Sequence, residues 1–158
     1  MSFDAVVIDE RTLSRGSEAQ HIEWDANIRE LLAKIQDAVD YDATLHISLT
    51  EQHFVLEARS PKGDVLDSKT IPHELLSEHI TEYVDILRQI ASAEGVNQME
   101  ALDMAKKVTH DRAGRLLRRE LRDFGFDHES MRKLFTLLLS LRVDTTRLVG
   151  IHTHRPIR

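Results

Sequence analysis

The hydrophobic period of this chain changes twice, and that change limits the folds open to it. From Ser17 to Val39 apolar residues recur at helical spacing, at Trp24, Ile28, Leu31, Leu32, Ile35 and Val39. Ser17 followed by Gln20 is a capping-box pattern, in which each side chain meets the other's backbone N–H and starts the helix. The period then drops to two. Leu45, Ile47 and Leu49 alternate with Thr44, His46, Ser48 and Thr50, and Phe54, Leu56 and Ala58 alternate with Val55, Glu57 and Arg59. Alternation of this kind marks strands with one buried face. Pro61, with its preset φ, and Gly63 suit a turn, after which Val65 to Ile71 forms a third strand. Ala5 to Ile8, a short valine-containing run, reads as a separate N-terminal strand.

Beyond Pro72 the period is helical again. Leu76, Ile80, Tyr83, Leu87 and Ile90 predict a helix over 73–94, stopped by Gly95. Asn97 with Glu100 predicts the start of a long helix whose body is Met99 to Leu121. The short connection makes these two helices an antiparallel hairpin. Phe124-Gly125-Phe126 breaks the pattern, and Asp127 caps a last helix. Met131, Leu134, Phe135, Leu138 and Leu141 form its stripe, and Leu137 and Leu139 make it apolar nearly all round, as expected at the centre of a core or at a subunit interface. The expected fold is therefore α+β: a small antiparallel sheet, meander plus N-terminal strand, packed against about four helices. Residues 1–142 form the single domain, and 143–158 a tail, with Ile151-His152-Thr153-His154 as a possible edge strand.

A chain of 158 residues can bury a full core without a metal or disulfide staple, and the absence of cysteine rules out disulfides, thiolate metal sites and thiol catalysis. No stretch approaches the roughly 20 apolar residues of a membrane span. The opening MSFDAVVIDE carries no secretion signal, so the cytoplasm is the expected compartment. The net charge of −6 conceals a split. Residues 1–94 hold eight basic against nineteen acidic side chains, and residues 95–158 hold thirteen against eight. Either the C-terminal part offers a basic surface, or the halves neutralise one another within the fold or between subunits.

The long helix carries the candidate site. Glu100, Asp103, Lys107, His110 and Asp111 fall within about a 100° sector, opposite Leu102, Ala105, Thr109, Ala113 and Leu116. Carboxylates beside an imidazole are the groups of a divalent-metal site or an acid–base pair. The same spacing also suits a solvated face held by Asp103–Lys107 and Lys107–Asp111 ion pairs. Farther along, Arg112, Arg115, Arg118, Arg119 and Arg122 are suited to phosphate or RNA. No tyrosine or tryptophan interleaves them for base stacking, so nucleic acid is not the expected partner. His152 and His154 are a pair of possible ligands, too few for a metal site. Phosphate-loop, dinucleotide, zinc-protease and serine-hydrolase signatures are absent.

Several segments resemble an uncharacterised protein family (UPF) of alphaproteobacteria, number zero-two-six-two. They are Ile8-Asp9-Glu10-Arg11-Thr12, Leu45-His46-Ile47-Ser48-Leu49, Glu100-Ala101-Leu102-Asp103-Met104, Lys106-Lys107, His110-Asp111, Leu116-Leu117 and Arg132-Lys133-Leu134-Phe135-Thr136-Leu137. The resemblance covers about residues 5–142 and implies no activity, cofactor or catalytic residue. The reading from sequence is a cytoplasmic, non-catalytic binding or regulatory protein acting through protein–protein contacts, with a homodimer the expected assembly. No metal and no cofactor are assigned. Its binding face comprises Glu100, Asp103, Lys107, His110, Asp111, Arg115 and Arg118. The alternatives are a metal-dependent enzyme using Glu100, Asp103, His110 and Asp111, and RNA or phosphate binding through the arginines.

Overall fold

A computed structural model describes residues 3–39 and 41–147, so His152 and His154 lie outside the described residues. The strands are β1 (Phe3–Ile8), β2 (Ala43–Leu49), β3 (His53–Arg59) and β4 (Val65–Pro72). The helices are α1 (Glu18–Ile35), α2 (His73–Ala91), α3 (Val96–Glu120) and α4 (His128–Arg142), which makes the protein α+β. The sheet order is β1-β2-β3-β4. The meander β2-β3-β4 is antiparallel, whereas β1 runs parallel to β2 and makes the sheet mixed. That direction follows from the element between them. Parallel neighbours need a crossover, and α1 carries the chain back to the end from which β1 began.

The alternating pattern sorts the sheet into two faces. Leu45, Ile47, Leu56 and Ala58 are wholly buried, while Thr44, His46, Ser48, Val55, Glu57 and Arg59 on the other face are only partly covered. The helices form a layer in the order α2-α3-α4-α1. The capping box at Ser17 and Gln20 is present and starts α1. Gly95 does not stop α2, which ends at Ala91 with Ser92 as its C-cap, short of the expected residue 94. It is the residue before α3, with φ of +81°, so α3 starts at Val96 and Asn97 lies inside it. Gly125 likewise takes a left-handed φ of +68° after α3 and turns the chain into α4. Asp127 caps α4 by accepting from the Ser130 N–H.

The all-round apolar character of α4 is consumed within the chain. Nine of its residues, from Ser130 to Leu141, are buried in the core, with α4 packed between α1 and α3. Polar ties fix the α1–α4 contact. Trp24 Nε1 donates to the Ser140 carbonyl at 2.9 Å, and Asn27 Nδ2 donates to Ser140 Oγ at 3.2 Å. After Arg142 the chain stays on the body through Thr145, which is buried and donates to Glu23 Oε1. Among the described residues, no helix is long and apolar enough to cross a membrane.

Candidate functional site

α3 is amphipathic in the way its spacing predicts: Thr109, Ala113, Gly114, Leu116 and Leu117 are buried. The predicted polar face, however, does not act as one unit. Glu100, Asp103 and Lys107 are exposed, whereas His110 and Asp111 are half-buried against α4. The expected ladder of ion pairs along α3 does not form. Among the described residues neither Asp103 nor Lys107 makes an ion pair, and Asp111 turns away to α4. There its Oδ1 lies 3.0 Å from Arg132 Nε and 3.4 Å from His128 Nε2. The Arg132 contact is an ion pair by distance, with Nε too poorly aligned for a hydrogen bond. Arg132 Nη1 also meets Glu129 Oε2 at 3.1 Å.

The chemistry of its neighbours fixes His110. Nε2 lies 2.8 Å from the Arg132 carbonyl, which can only accept, so Nε2 carries the proton. Thr136 Oγ1 is 2.9 Å from the same nitrogen. Nδ1 faces Arg132 Nη2 at 3.5 Å, and a guanidinium can only donate, so Nδ1 keeps its lone pair. The ring is therefore neutral and packs against Tyr83 and Phe135, with centroids 5.6 and 5.8 Å away. Burial lowers the His110 pKa below the ordinary imidazole value. Arg132 and Lys106 lower it further, against the raising effects of the Arg132 carbonyl and Asp111. Both ring nitrogens are thus occupied in tying α3 to α4. Among the described residues no three His, Asp or Glu side chains converge as metal ligands.

Two hollows flank this junction. One, of about 320 Å³, lies between α2, α3 and α4 and is lined by Tyr83, Asp103, Lys106, Lys107, His110 and Arg132. It gathers three of the predicted residues; Glu100 and Asp111 do not line it. The other, of about 680 Å³, lies at the end of α3 and is lined by Arg115, Arg118, Arg119, Arg122, Gly125, Phe126 and Asp127. Of these arginines only Arg119 meets a carboxylate among the described residues, Glu120 at 3.8 Å. Asp127 is committed to the start of α4: hydrogen bonds from Ser130 hold its carboxyl below the usual range. Phe126 is buried, which leaves no open ring on which a base could stack.

The profile of Uncharacterised protein family UPF0262 matches residues 2–144. The chain belongs to this family. It is 29% identical to a "UPF0262 protein" of Azorhizobium caulinodans over 151 residues, covering 87% of this chain and 91% of that one. A "UPF0262 protein" of Xanthobacter autotrophicus is 26% identical, with 88% and 90% covered. No solved structure matches. In this UPF0262 chain the segments Lys106-Lys107, His110-Asp111 and Arg132-Lys133, on which the family resemblance rests, meet at the α3–α4 junction just described.

The UPF0262 fold also exposes residues that the sequence reading passed over. Met104 and Val108 are 62% and 47% exposed on α3. At 100° per residue they share an outward stripe with Arg115, Arg119 and Arg122. Their i, i+4 spacing was the available signal, hidden because an apolar pair on a helix is ordinarily assigned to the core. Tyr83 and Lys106 belong to the smaller hollow through the α2–α3 pairing, which no local pattern encodes.

Proposed function

We propose that the protein is a non-catalytic binding protein that docks an acidic, amphipathic protein segment along the outward stripe of α3. The observation that carries this reading is the composition of that stripe. Two exposed apolar side chains, Met104 and Val108, lead into arginines of which Arg115 and Arg122 have no ion-pair partner among the described residues. Apolar anchors with a charged continuation are how a groove takes an amphipathic helix, and guanidinium groups pair in bidentate fashion with carboxylates. RNA would use the arginines but has no need of Met104 and Val108. A second copy of the chain is one bearer of such a segment, since residues 1–94 hold nineteen acidic side chains.

The test is fluorescence anisotropy with two labelled probes, a synthetic Glu/Leu amphipathic peptide and a single-stranded RNA, at low and high salt. The reading expects the peptide to bind, and M104E/V108E and R115E/R119E each to weaken it. RNA binding with a steep salt dependence that M104E/V108E leaves unchanged would move the assignment to nucleic acid. Sedimentation velocity on the unmodified chain then separates a second copy from a foreign partner. Association that R115E/R119E abolishes marks the homodimer.

A further inference from the structure

We infer that the hollow between α2, α3 and α4 is a binding site for a small molecule bearing an oxyanion, a carboxylate or a phosphate, held by Tyr83, Lys106 and Lys107. Tyr83 is the starting point. It is 8% exposed, and its hydroxyl has no hydrogen-bond partner among the described residues. The ring is buried but the hydroxyl oxygen is not, and Tyr83 lines the hollow, so the phenol is a donor that the fold leaves unused there. Burial pushes its pKa up to about 12, so it stays a donor across the physiological range. Lys106 and Lys107 line the same hollow, and neither has an ion-pair partner among the described residues.

The other lining groups sharpen the ligand class. Arg132 is already held by Asp111 and Glu129, so it fixes the wall and does not seek a ligand. His110 is neutral, with its proton on the Arg132 carbonyl, so it offers an anion no donor. Three donors without partners, brought together from α2 and α3, and a wall with no free donor fit a compact anion. A volume of about 320 Å³ lies at the lower end for small-molecule sites, which typically span roughly 300–1,000 Å³. Asp103 sits on the lining as the one carboxylate without a cation, and it selects against higher negative charge. This site shares no residue with the outward stripe of α3, so the two assignments stand or fall separately.

The experiment is a titration of the full chain, followed by 1H–15N NMR, with inorganic phosphate and, separately, with sodium propionate. Saturable shifts centred on Tyr83, Lys106 and Lys107 are expected from at least one. Phosphate alone points to a phosphoryl ligand, propionate alone to a carboxylate, and both to a shared oxyanion site. Y83F and K106M should each weaken binding about tenfold, the usual loss for one charge-assisted hydrogen bond. D103N should tighten it. R118A should leave it unchanged. Lys106 is half-buried, has no ion-pair partner among the described residues and keeps its apolar stem in methionine, so K106M decides the matter even if Y83F disturbs the fold. Shifts that do not saturate, shifts centred on Arg115–Arg122, unchanged affinity in K106M, or weaker binding in D103N would overturn the assignment.

Discussion

Replacing His110 by phenylalanine separates the structural role of this ring from a chemical one. In the native fold its Nε2–H is shared between the Arg132 carbonyl at 2.8 Å and Thr136 Oγ1 at 2.9 Å. Phenylalanine keeps the packing against Tyr83 and Phe135 and removes the Nε2 donor, along with the long 3.5 Å contact of Nδ1 to Arg132 Nη2 that adds little. The Arg132 carbonyl is not orphaned, because it still accepts from within α4 and from Thr136 Oγ1 at 3.2 Å. The loss is then one net hydrogen bond, about 1 kcal/mol at pH 7.5. For a chain of this size that lowers Tm by about 2–4 °C. Acid should narrow the gap. The folded state holds the His110 pKa below 6.5, so the unfolded chain binds the proton more readily. This contribution is complete above 6.5 and is lost as pH falls toward the folded value, with a slope of at most about 1.4 kcal/mol per pH unit for one proton. The phenylalanine variant lacks that slope. His46, lowered by burial and by Arg59, supplies a background common to both proteins. Urea unfolding at pH 7.5, 6.5 and 5.5 reads the difference. A gap that widens on acidification would mean that the imidazolium is the favoured form, paired with Asp111, and would refute the tautomer derived above.

Three further substitutions probe the frame around the junction. Asp127→Ala removes the cap of α4 and should cost about 1 kcal/mol in chemical unfolding, with the far-UV helix signal nearly unchanged. Gly114→Ala would place a Cβ 3.0 Å from Arg132 Cγ and 3.1 Å from His128 Cε1. Alanine favours a helix by about 1 kcal/mol, but Arg132 is held at its far end and gives little, so thermal melts should show a net loss of about 1 kcal/mol. Trp24→Phe strips the donor from the Ser140 carbonyl, which lies in the last turn of α4 where helical partners run out. A loss of about 1–3 kcal/mol is expected, read by denaturant midpoint at constant m value.

Local chemistry made much of this fold legible. Ser17 with Gln20, the alternation through β2 and β3, and Asp127 each name a boundary by a mechanism confined to a few residues. The direction of β1 was not legible, because a four-residue apolar run carries no information about which neighbour it meets. Nor was the start of α3: an Asn-x-x-Glu pattern at Asn97 competed with Gly95, whose positive φ settled the turn one residue earlier. The candidate site followed the same division. Periodicity placed Asp103, Lys107 and His110 on one side of α3, and the hollow gathers those three. It could not see that Asp111 finds Arg132 and His128 on α4, or that Tyr83 arrives from α2, since both depend on which helices pack together.

The split of charge between the two halves resolves in the same way. Part of it is neutralised inside the chain: Arg112 meets Glu82 at 3.5 Å and Lys133 meets Glu30 at 3.8 Å, while Lys69 and Asp123, 2.7 Å apart, pair the minority charges of the two halves. Such exposed pairs add at most about 1 kcal/mol each, so stability does not explain the excess of arginine. What remains is Arg115, Arg118 and Arg122 around one hollow, none within ion-pair distance of a carboxylate among the described residues, with Asp127 on the same lining acting on Arg118 only from farther away. Like charges gathered on neighbouring turns of a helix oppose folding, and solvent ions screen them over roughly 8 Å only. The core gains nothing from them, because all three are exposed while α4 is already packed between α1 and α3. An arrangement that the fold does not require, and that repels itself until a counter-charge arrives, is the feature on which the proposal of an acidic partner on the outer face of α3 rests.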